Sequence, residues 1–350
     1  MSFLTALEEF HADDPSGGRE ESDPLDTLGY AGAASAVQSW LDAFPRQTTK
    51  TDILRASRIH DVCPREYVLN YWQPKRSHAL GWRGSMFVTL GTCLHQFLQD
   101  GVLGPMGVLS GDWEYVDRHV STGVIESGFH PDPERAVWEF SNQRAFTWRY
   151  VEPQLWHEGW RISGHIDGIV SDDRLRFLID NLAAVKKSPN EWMRRMWDIP
   201  LGRKKLLEIK TSGGFVWDKL EKGVKGIADY YRMQASIYQK LSGVHSTLFW
   251  YVNRDRMESR LLNYQMENAF WNDAIRKAEI IWTAIRDRTL PDSLMACKTP
   301  KDRRAKTCVF AEECWARRFD FESYCKRGEE LAAEEGREML DLSAWVPPME

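Results

Sequence analysis

The 350-residue sequence contains no apolar run near the roughly 18–20 residues that a membrane-spanning helix requires. Its first ten residues carry Glu8 and Glu9 and lack the basic-then-apolar order of a secretion signal. Internal repeats are absent, and biased composition is confined to the two ends, which excludes collagen-like, coiled-coil and wholly disordered chains. Cysteine pairs at the two-to-four-residue spacing of common structural zinc sites are also missing. What remains is the composition of a folded protein of the cytoplasm: 43% hydrophobic, 28% charged, with a mean hydropathy of -0.49. The length admits two domains or one large α/β domain with insertions.

Net charge is -5, which argues against a polyanionic partner until its distribution is considered. Residues 1–26 carry -7 and residues 326–350 carry -4, so the intervening body, residues 27–325, carries +6. A mildly basic body between acidic ends suits a phosphate-binding groove. The six cysteines are Cys63, Cys93, Cys297, Cys308, Cys314 and Cys325. Without a secretion signal they are not expected to form disulfides. Four of them fall within 29 residues beside many Lys and Arg, which points to a metal or iron–sulfur site.

Residues 11–35, rich in Asp, Ser, Gly, Pro and Ala, read as a leader, followed by a helix over 35–44. Further helices are expected over 64–70, where Pro64 suits a first turn, and over 86–100, where Phe87, Leu90, Leu94 and Phe97 recur at helical spacing. Others are expected over 133–149, 190–197, 226–241 and 267–287. Strands are expected over 161–170, 205–211 and 246–253. This mixed order predicts an α/β or α+β fold.

The sharpest local signal is Leu206-Leu207-Glu208-Ile209-Lys210-Thr211. On a strand, Glu208 and Lys210 share one face while Leu207 and Ile209 share the other. An acid and an ammonium within an apolar strand are costly to bury without a partner or a task. Taken singly, the pattern also fits a half-exposed edge strand. Asp167 stands in a second apolar run, Gly164-His165-Ile166-Asp167-Gly168-Ile169-Val170, whose glycines let backbone or ligand approach closely. A turn or a hydrogen-bonded structural aspartate fits that run as well. Together, Asp167, Glu208 and Lys210 supply two hard oxygen ligands and a cation, the set that magnesium or manganese phosphodiester chemistry needs. His95, on a helix, adds a nitrogen donor suited to manganese, or is a capped or solvated histidine. Gln234 and Tyr238 lie four residues apart on one helix face, placed for a substrate strand or for packing.

In this order, His95, Asp167, Glu208-X-Lys210 and Gln234-X3-Tyr238 resemble the PD-(D/E)XK nuclease superfamily, specifically its RecB-like branch. The stretch Ser57-Arg58-Ile59-His60-Asp61-Val62-Cys63-Pro64-Arg65-Glu66-Tyr67 resembles the opening segment of the iron–sulfur members. These include the AddB nuclease domain and the small CRISPR-associated exonucleases also found in phages. The resemblance runs from Arg55 to Cys314. It implies an α/β, restriction-endonuclease-like fold: a mixed central sheet flanked by helices, with a C-terminal iron–sulfur lobe. The implied activity is metal-dependent hydrolysis of DNA from free ends, with Asp167, Glu208 and Lys210 catalytic. His95, Asp167, Glu208 and the Ile209 carbonyl would hold Mg2+ or Mn2+, and Gln234 and Tyr238 would position the substrate.

In the iron–sulfur members, one cysteine before the core joins three after it around a 4Fe–4S cluster. That assigns Cys63, Cys297, Cys308 and Cys314, with five residues between the last two as in the family and Cys297 displaced by a basic insertion over 298–307. Cys325 competes for any of the last three places, Cys93 is expected in buried packing, and zinc or free thiols are the rival readings. Such a cluster would act as a staple, worth about 5 kcal/mol if it closes so long a loop as a disulfide would. The 41 residues from Asp167 to Glu208 mark 172–204 as an insertion. The expected organisation is an acidic leader with its helix (1–50), a nuclease core (51–295), a cysteine-rich segment (296–326) and an acidic tail (327–350). Arg194, Arg195, Arg203, Lys204, Lys205 and the run 301–306 are candidate phosphate contacts, and the 16 tryptophans offer stacking surfaces, most of them expected in the core. The competing function is a non-catalytic or end-trimming DNA-binding subunit of a recombination or CRISPR-adaptation-type complex, with a recombination or integration protein as partner. No membrane association is expected.

Overall fold

A computed structural model describes residues 52–75, 82–104, 107–118, 125–129, 146–181, 195–196, 198–200, 202–213, 217–218, 226–253, 255, 258–292, 297, 299–316 and 318–348. The chain forms two compact units, residues 1–47 with 79–86 and residues 48–78 with 87–350. The described part of the first is the opening of one helix; the second carries everything below. The expected leader, the helix over 35–44, and most of those over 133–149 and 190–197 lie outside the described residues.

In chain order, strand β1 (Leu54–Arg55) and a single 3-10 turn lead to helix α1 (Pro64–Trp72), with Pro64 in the first turn and Cys63 capping it in extended conformation. Proline costs nothing there, because first-turn N–H groups have no helical partner. Helix α2 (Trp82–Gln96) runs into a π-helical turn, Phe97–Leu103. There follow strands β2 (Leu109–Ser110), β3 (Asp112–Arg118), β4 (Ile125–Phe129), β5 (Phe146–Val151), β6 (Gln154–His157), β7 (Ile162–His165) and β8 (Gly168–Ser171), then helix α3 (Asp172–Asp180). Strand β9 (Lys204–Ser212), helix α4 (Asp229–Ser242), strands β10 (Ser246–Asn253) and β11 (Ser259–Gln265) and helix α5 (Asn268–Arg286) complete the main body. Short helices α6 (Arg303–Thr307) and α7 (Ala311–Trp315) carry the late cysteines, and α8 (Phe321–Glu335) closes the chain between an Asp320 cap and Gly336.

The strands form a five-stranded mixed sheet, β11–β10–β9–β8–β2, in which only β9 and β10 run parallel, and two three-stranded sheets, β1–β7–β6 and β4–β3–β5. Strand β9 is therefore central, not an edge. Its alternation is that of a strand covered on both faces. Leu207 and Ile209 enter one hydrophobic cluster with Leu248 and Val252, while Leu206 enters another with Ile237, Tyr238 and Trp282. Each such side chain contributes about 1.5–3 kcal/mol on burial. The result is a mixed α/β fold with helices against mixed sheets, and among the described residues no helix is long and apolar enough to cross a membrane.

Several sequence expectations change. The run 161–170 is two strands in two different sheets, broken at Ile166 and Asp167. There the Ile166 amide turns to the Pro153 carbonyl, and the Asp167 carboxylate takes the Ile209 N–H. Residues 146–149, expected in a helix, belong to β5, where aromatic and β-branched residues pair with β3. The 3–4 apolar spacing of α2 is no core stripe throughout: Leu90 and Phe97 are exposed. Strand β11 and helix α8 lacked a sharp sequence signal.

Candidate active site and cysteine cavity

The antiparallel register pairs Gly168 with Leu207, so Asp167 stands level with Glu208 across neighbouring strands. Asp167 is buried, and one carboxylate oxygen accepts the Ile209 N–H at 2.6 Å. The other lies 3.4 Å from Nδ1 of His95, supplied by α2. Glu208 is 1% exposed. Its Oε2 accepts from Lys210 Nζ at 2.6 Å and from Gln234 Nε2 at 3.3 Å. Its Oε1 is buried with no hydrogen-bond partner. Gln234 also donates to the Tyr238 hydroxyl at 3.0 Å, so the two residues share a face of α4 as their spacing requires. Both are buried, and their polar ends turn toward Glu208. The Lys210 ammonium lies 4.8 Å from the centre of the Tyr231 ring.

The two glycines flanking Asp167 admit protein side chains. A Cβ on Gly164 would stand 2.3 Å from a Tyr238 ring carbon, and one on Gly168 would stand 2.6 Å from a Leu109 methyl. The close approach anticipated for backbone or ligand is made by Tyr238 and Leu109.

Burial pushes the Asp167 carboxyl up, but the His95 contact, the Lys210 charge and the Ile209 amide outweigh it and hold the group below the usual carboxylate range. For Glu208 burial wins: despite Lys210, and with the Asp167 charge adding to the effect, its carboxyl is pushed up to about 7. Burial works against a charged Lys210, yet Glu208 and Asp167 raise its pKa, so the ammonium stays cationic. His95 follows the same logic, its burial outweighed by Asp167.

Two residues of this neighbourhood escaped the sequence reading. Glu152, just beyond β5, has a carboxylate oxygen that lies, with an Asp167 oxygen and a His95 nitrogen, in a set whose members are all within 4.8 Å of one another. Gln99, in the π-helical turn, is 4% exposed and donates from one nitrogen to both Glu152 Oε1 (3.0 Å) and the Asp167 carbonyl (2.6 Å). The only sequence hint was an acid at the end of an aromatic and β-branched run, before Pro153. A π-turn leaves no periodicity that could have singled out Gln99.

Cys63, Cys297, Cys308 and Cys314 line one cavity, together with Arg65, Glu66 and Trp315. Burial pushes the Cys308 thiol up to about 11, and the Cys297 and Cys314 thiols upward too. No three of the four sulfurs lie within 4.8 Å of one another. Cys325 is fully buried in the main hydrophobic cluster, away from this cavity, and Cys93 is exposed instead of packed in a core. Among the basic residues, Lys205 pairs with Asp172 at 3.0 Å and Arg304 donates to the Asp61 carbonyl, while Arg195, Arg203, Lys204, Lys301, Arg303 and Lys306 are exposed. Arg194 lies outside the described residues.

Neither a protein-family model nor a curated protein matches the sequence. Among solved structures the fold is similar to SSO0001, with a TM-score of 0.33 and 14% identity over 83% of this chain and 97% of that one. It is also similar to LHK-Exo in complex with dAMP (0.35, 12%, 68% and 89%) and to the alkaline exonuclease LHK-Exo from Laribacter hongkongensis (0.28, 11%, 71% and 92%). At this distance the likeness lends nothing to the chemistry, which rests on the side chains above.

Proposed function

We propose that the chain is a divalent-metal-dependent deoxyribonuclease of the PD-(D/E)XK type, acting on DNA with a free end in the cytoplasm. The observation that carries this reading is Glu208. A buried carboxylate with one oxygen tied to a lysine and the other without a partner costs several kcal/mol unless something else binds it. Oxygen donors from Asp167 and Glu208 with a nitrogen from His95 fit Mg2+ or Mn2+, and the Ile209 carbonyl would complete the set. A divalent ion held there would lower the pKa of water and polarise a phosphoryl oxygen. Its charge would also reverse the effect that keeps Glu208 protonatable near neutrality.

The chain's own residues do the rest. Lys210, held cationic between two acids, would stabilise the negative charge that develops on a phosphate under attack. Gln234 and Tyr238 fix the Glu208 rotamer through a buried two-bond relay, an indirect route to positioning the substrate. The Ile209 amide locks the Asp167 carboxylate in one orientation. The exposed cations on β9 and α6 supply phosphate contacts. The cysteine cavity is the place for a 4Fe–4S cluster held by Cys63, Cys297, Cys308 and Cys314. Four thiols on one cavity suit it, and the sequence lacks the paired short cysteine spacings of common structural zinc sites. A recombination or integration protein is the natural recipient of trimmed ends.

The test uses end-labelled single- and double-stranded DNA beside a closed circular duplex, with Mg2+ and Mn2+ in parallel. Linear DNA is expected to be degraded from its ends while the circle survives. Glu208→Gln and Lys210→Ala should each lower the rate by at least about 10²-fold while the fold persists. Cleavage by Glu208→Gln at the wild-type rate would overturn the assignment, and binding without cleavage by the wild type would mark a DNA-binding subunit instead.

A further inference from the structure

A lysine carries a compact charge on a flexible four-carbon stem, so its place on a strand does not by itself fix where the ammonium stands. Among the described residues Lys210 has one hydrogen-bond partner, Glu208, which takes one of its three N–H groups. Glu208 is also the carboxylate proposed to hold a metal ion, so that bond is not a dedicated tether. A second constraint acts from another residue. Lys210 Nζ lies over the Tyr231 ring, 4.8 Å from its centre, and the lysine side chain is only 13% exposed. We infer that Tyr231 is a positioning residue for Lys210, its ring face holding the ammonium in place independently of the bond to Glu208.

The ring is itself held by its surroundings. Tyr231 stands in the first turn of α4, the helix that also carries Gln234 and Tyr238. The parallel register of β9 and β10 sets Phe249 beside Glu208 and Tyr251 beside Lys210, so the polar face of β9 continues on β10 as two aromatic rings. Both rings are buried, in a third hydrophobic cluster against which Tyr231 packs. The Tyr231 ring centre is 6.3 Å from that of Phe249 and 6.5 Å from that of Tyr251, the separations of aromatic pairs in contact. Tyr230, which is exposed, packs against the same ring with centres 4.0 Å apart. Three neighbouring rings leave Tyr231 little freedom, and its negative face attracts the ammonium above it. The attraction is strengthened where water is largely excluded, as it is around the Lys210 side chain. The cluster takes no other part in the proposed reaction, and this contact gives its edge a task at the site.

A task for Lys210 in cleavage rests on the proposed nuclease, whereas its contact with the ring is measurable without activity. Ring currents move protons above an aromatic face upfield. In the full chain with isotope-labelled lysine, the Lys210 Cε protons are assigned by nuclear magnetic resonance through their loss in Lys210→Ala. They are expected upfield of the other lysines in the wild type and in Tyr231→Phe, and at the ordinary position in Tyr231→Leu. In DNA cleavage with Mg2+, Tyr231→Leu should lower kcat by about 5- to 30-fold, the worth of a partly desolvated cation–π contact, with KM unchanged. Tyr231→Phe keeps the ring face and should stay within about 2-fold of the wild type. In a Lys210→Ala background Tyr231→Leu should cost nothing further, because the group it positions is gone. Circular dichroism checks that each variant is folded. An ordinary Lys210 shift in the wild type would overturn the inference, as would an equal loss of kcat in Tyr231→Phe or an undiminished loss in the Lys210→Ala background. The nuclease proposal survives those results as long as the wild type cuts DNA. An upfield Lys210 in a chain that cuts no DNA would uphold the contact and overturn the nuclease reading.

Discussion

Gly164→Ala tests the relay behind Glu208 without removing a polar group. Its new methyl would lie 2.3 Å from a Tyr238 ring carbon and 2.8 Å from the hydroxyl. Tyr238 is 2% exposed and packed in the main hydrophobic cluster, so the ring has no open direction in which to yield. Overpacking of this kind costs about 1–3 kcal/mol. If the ring shifts, its 3.0 Å hydrogen bond from Gln234 is lost as well, at about 1 kcal/mol. The expected destabilisation is about 2–4 kcal/mol, which at roughly 2–4 °C per kcal/mol in a large domain lowers Tm by about 5–15 °C. Because Gln234 is also bonded to Glu208, cleavage of DNA should fall further than the loss of folded protein explains. A double-mutant cycle isolates the contact. Tyr238→Phe keeps the ring but has no hydroxyl bond left to lose, so it should lower the cost of Gly164→Ala by only about 1 kcal/mol, whereas Tyr238→Leu should relieve most of it. Scanning calorimetry or urea denaturation gives the stabilities. Wild-type stability for Gly164→Ala, or an equal cost in all three backgrounds, would refute the packing argument.

Other expectations concern the rest of the molecule. Asp172 is buried between Lys205 and Arg176; burial raises its carboxyl, but those partners outweigh it and hold it below the ordinary value of 3.8. A carboxyl depressed in the folded state stabilises above its unfolded pKa and loses that contribution as pH falls through the folded one. Asp172→Asn should therefore be less stable by about 1–3 kcal/mol at pH 7, with the difference closing only below about pH 4 in urea titrations; a constant difference down to pH 2 would contradict the pairing. Anaerobically purified protein should be brown with about four irons per chain. Cys63→Ala should lose iron and stability together, while Cys93→Ala and Cys325→Ala keep iron; colourless protein with stoichiometric zinc would sink the cluster. Removing the acidic residues 1–26 should tighten DNA binding at low salt, fading as ionic strength rises, and unchanged affinity would place the leader away from the DNA.

Local chemistry is legible in the sequence because alternation and helical spacing are properties of the backbone alone. Leu207 and Ile209 had to face away from Glu208 and Lys210 on any strand, and Gln234 had to meet Tyr238 on any helix. Strand 246–253 and the long helix near 267–287 were marked by the same periodicities. What periodicity cannot convey is which strand lies beside which. Only strand order makes β9 central, sets Asp167 level with Glu208 and leaves Glu208 Oε1 buried without a partner. Glu152 and Gln99 belong to that second kind of information: they are 56 and 109 residues from Glu208 in the sequence, and neither has a local pattern. The cavity shared by Cys63 and three cysteines more than 230 residues later is likewise a product of chain crossing, since spacing names candidates but not which thiols converge. Cys325 shows the difference: by spacing it competed for the cavity, and by packing it is part of the hydrophobic core.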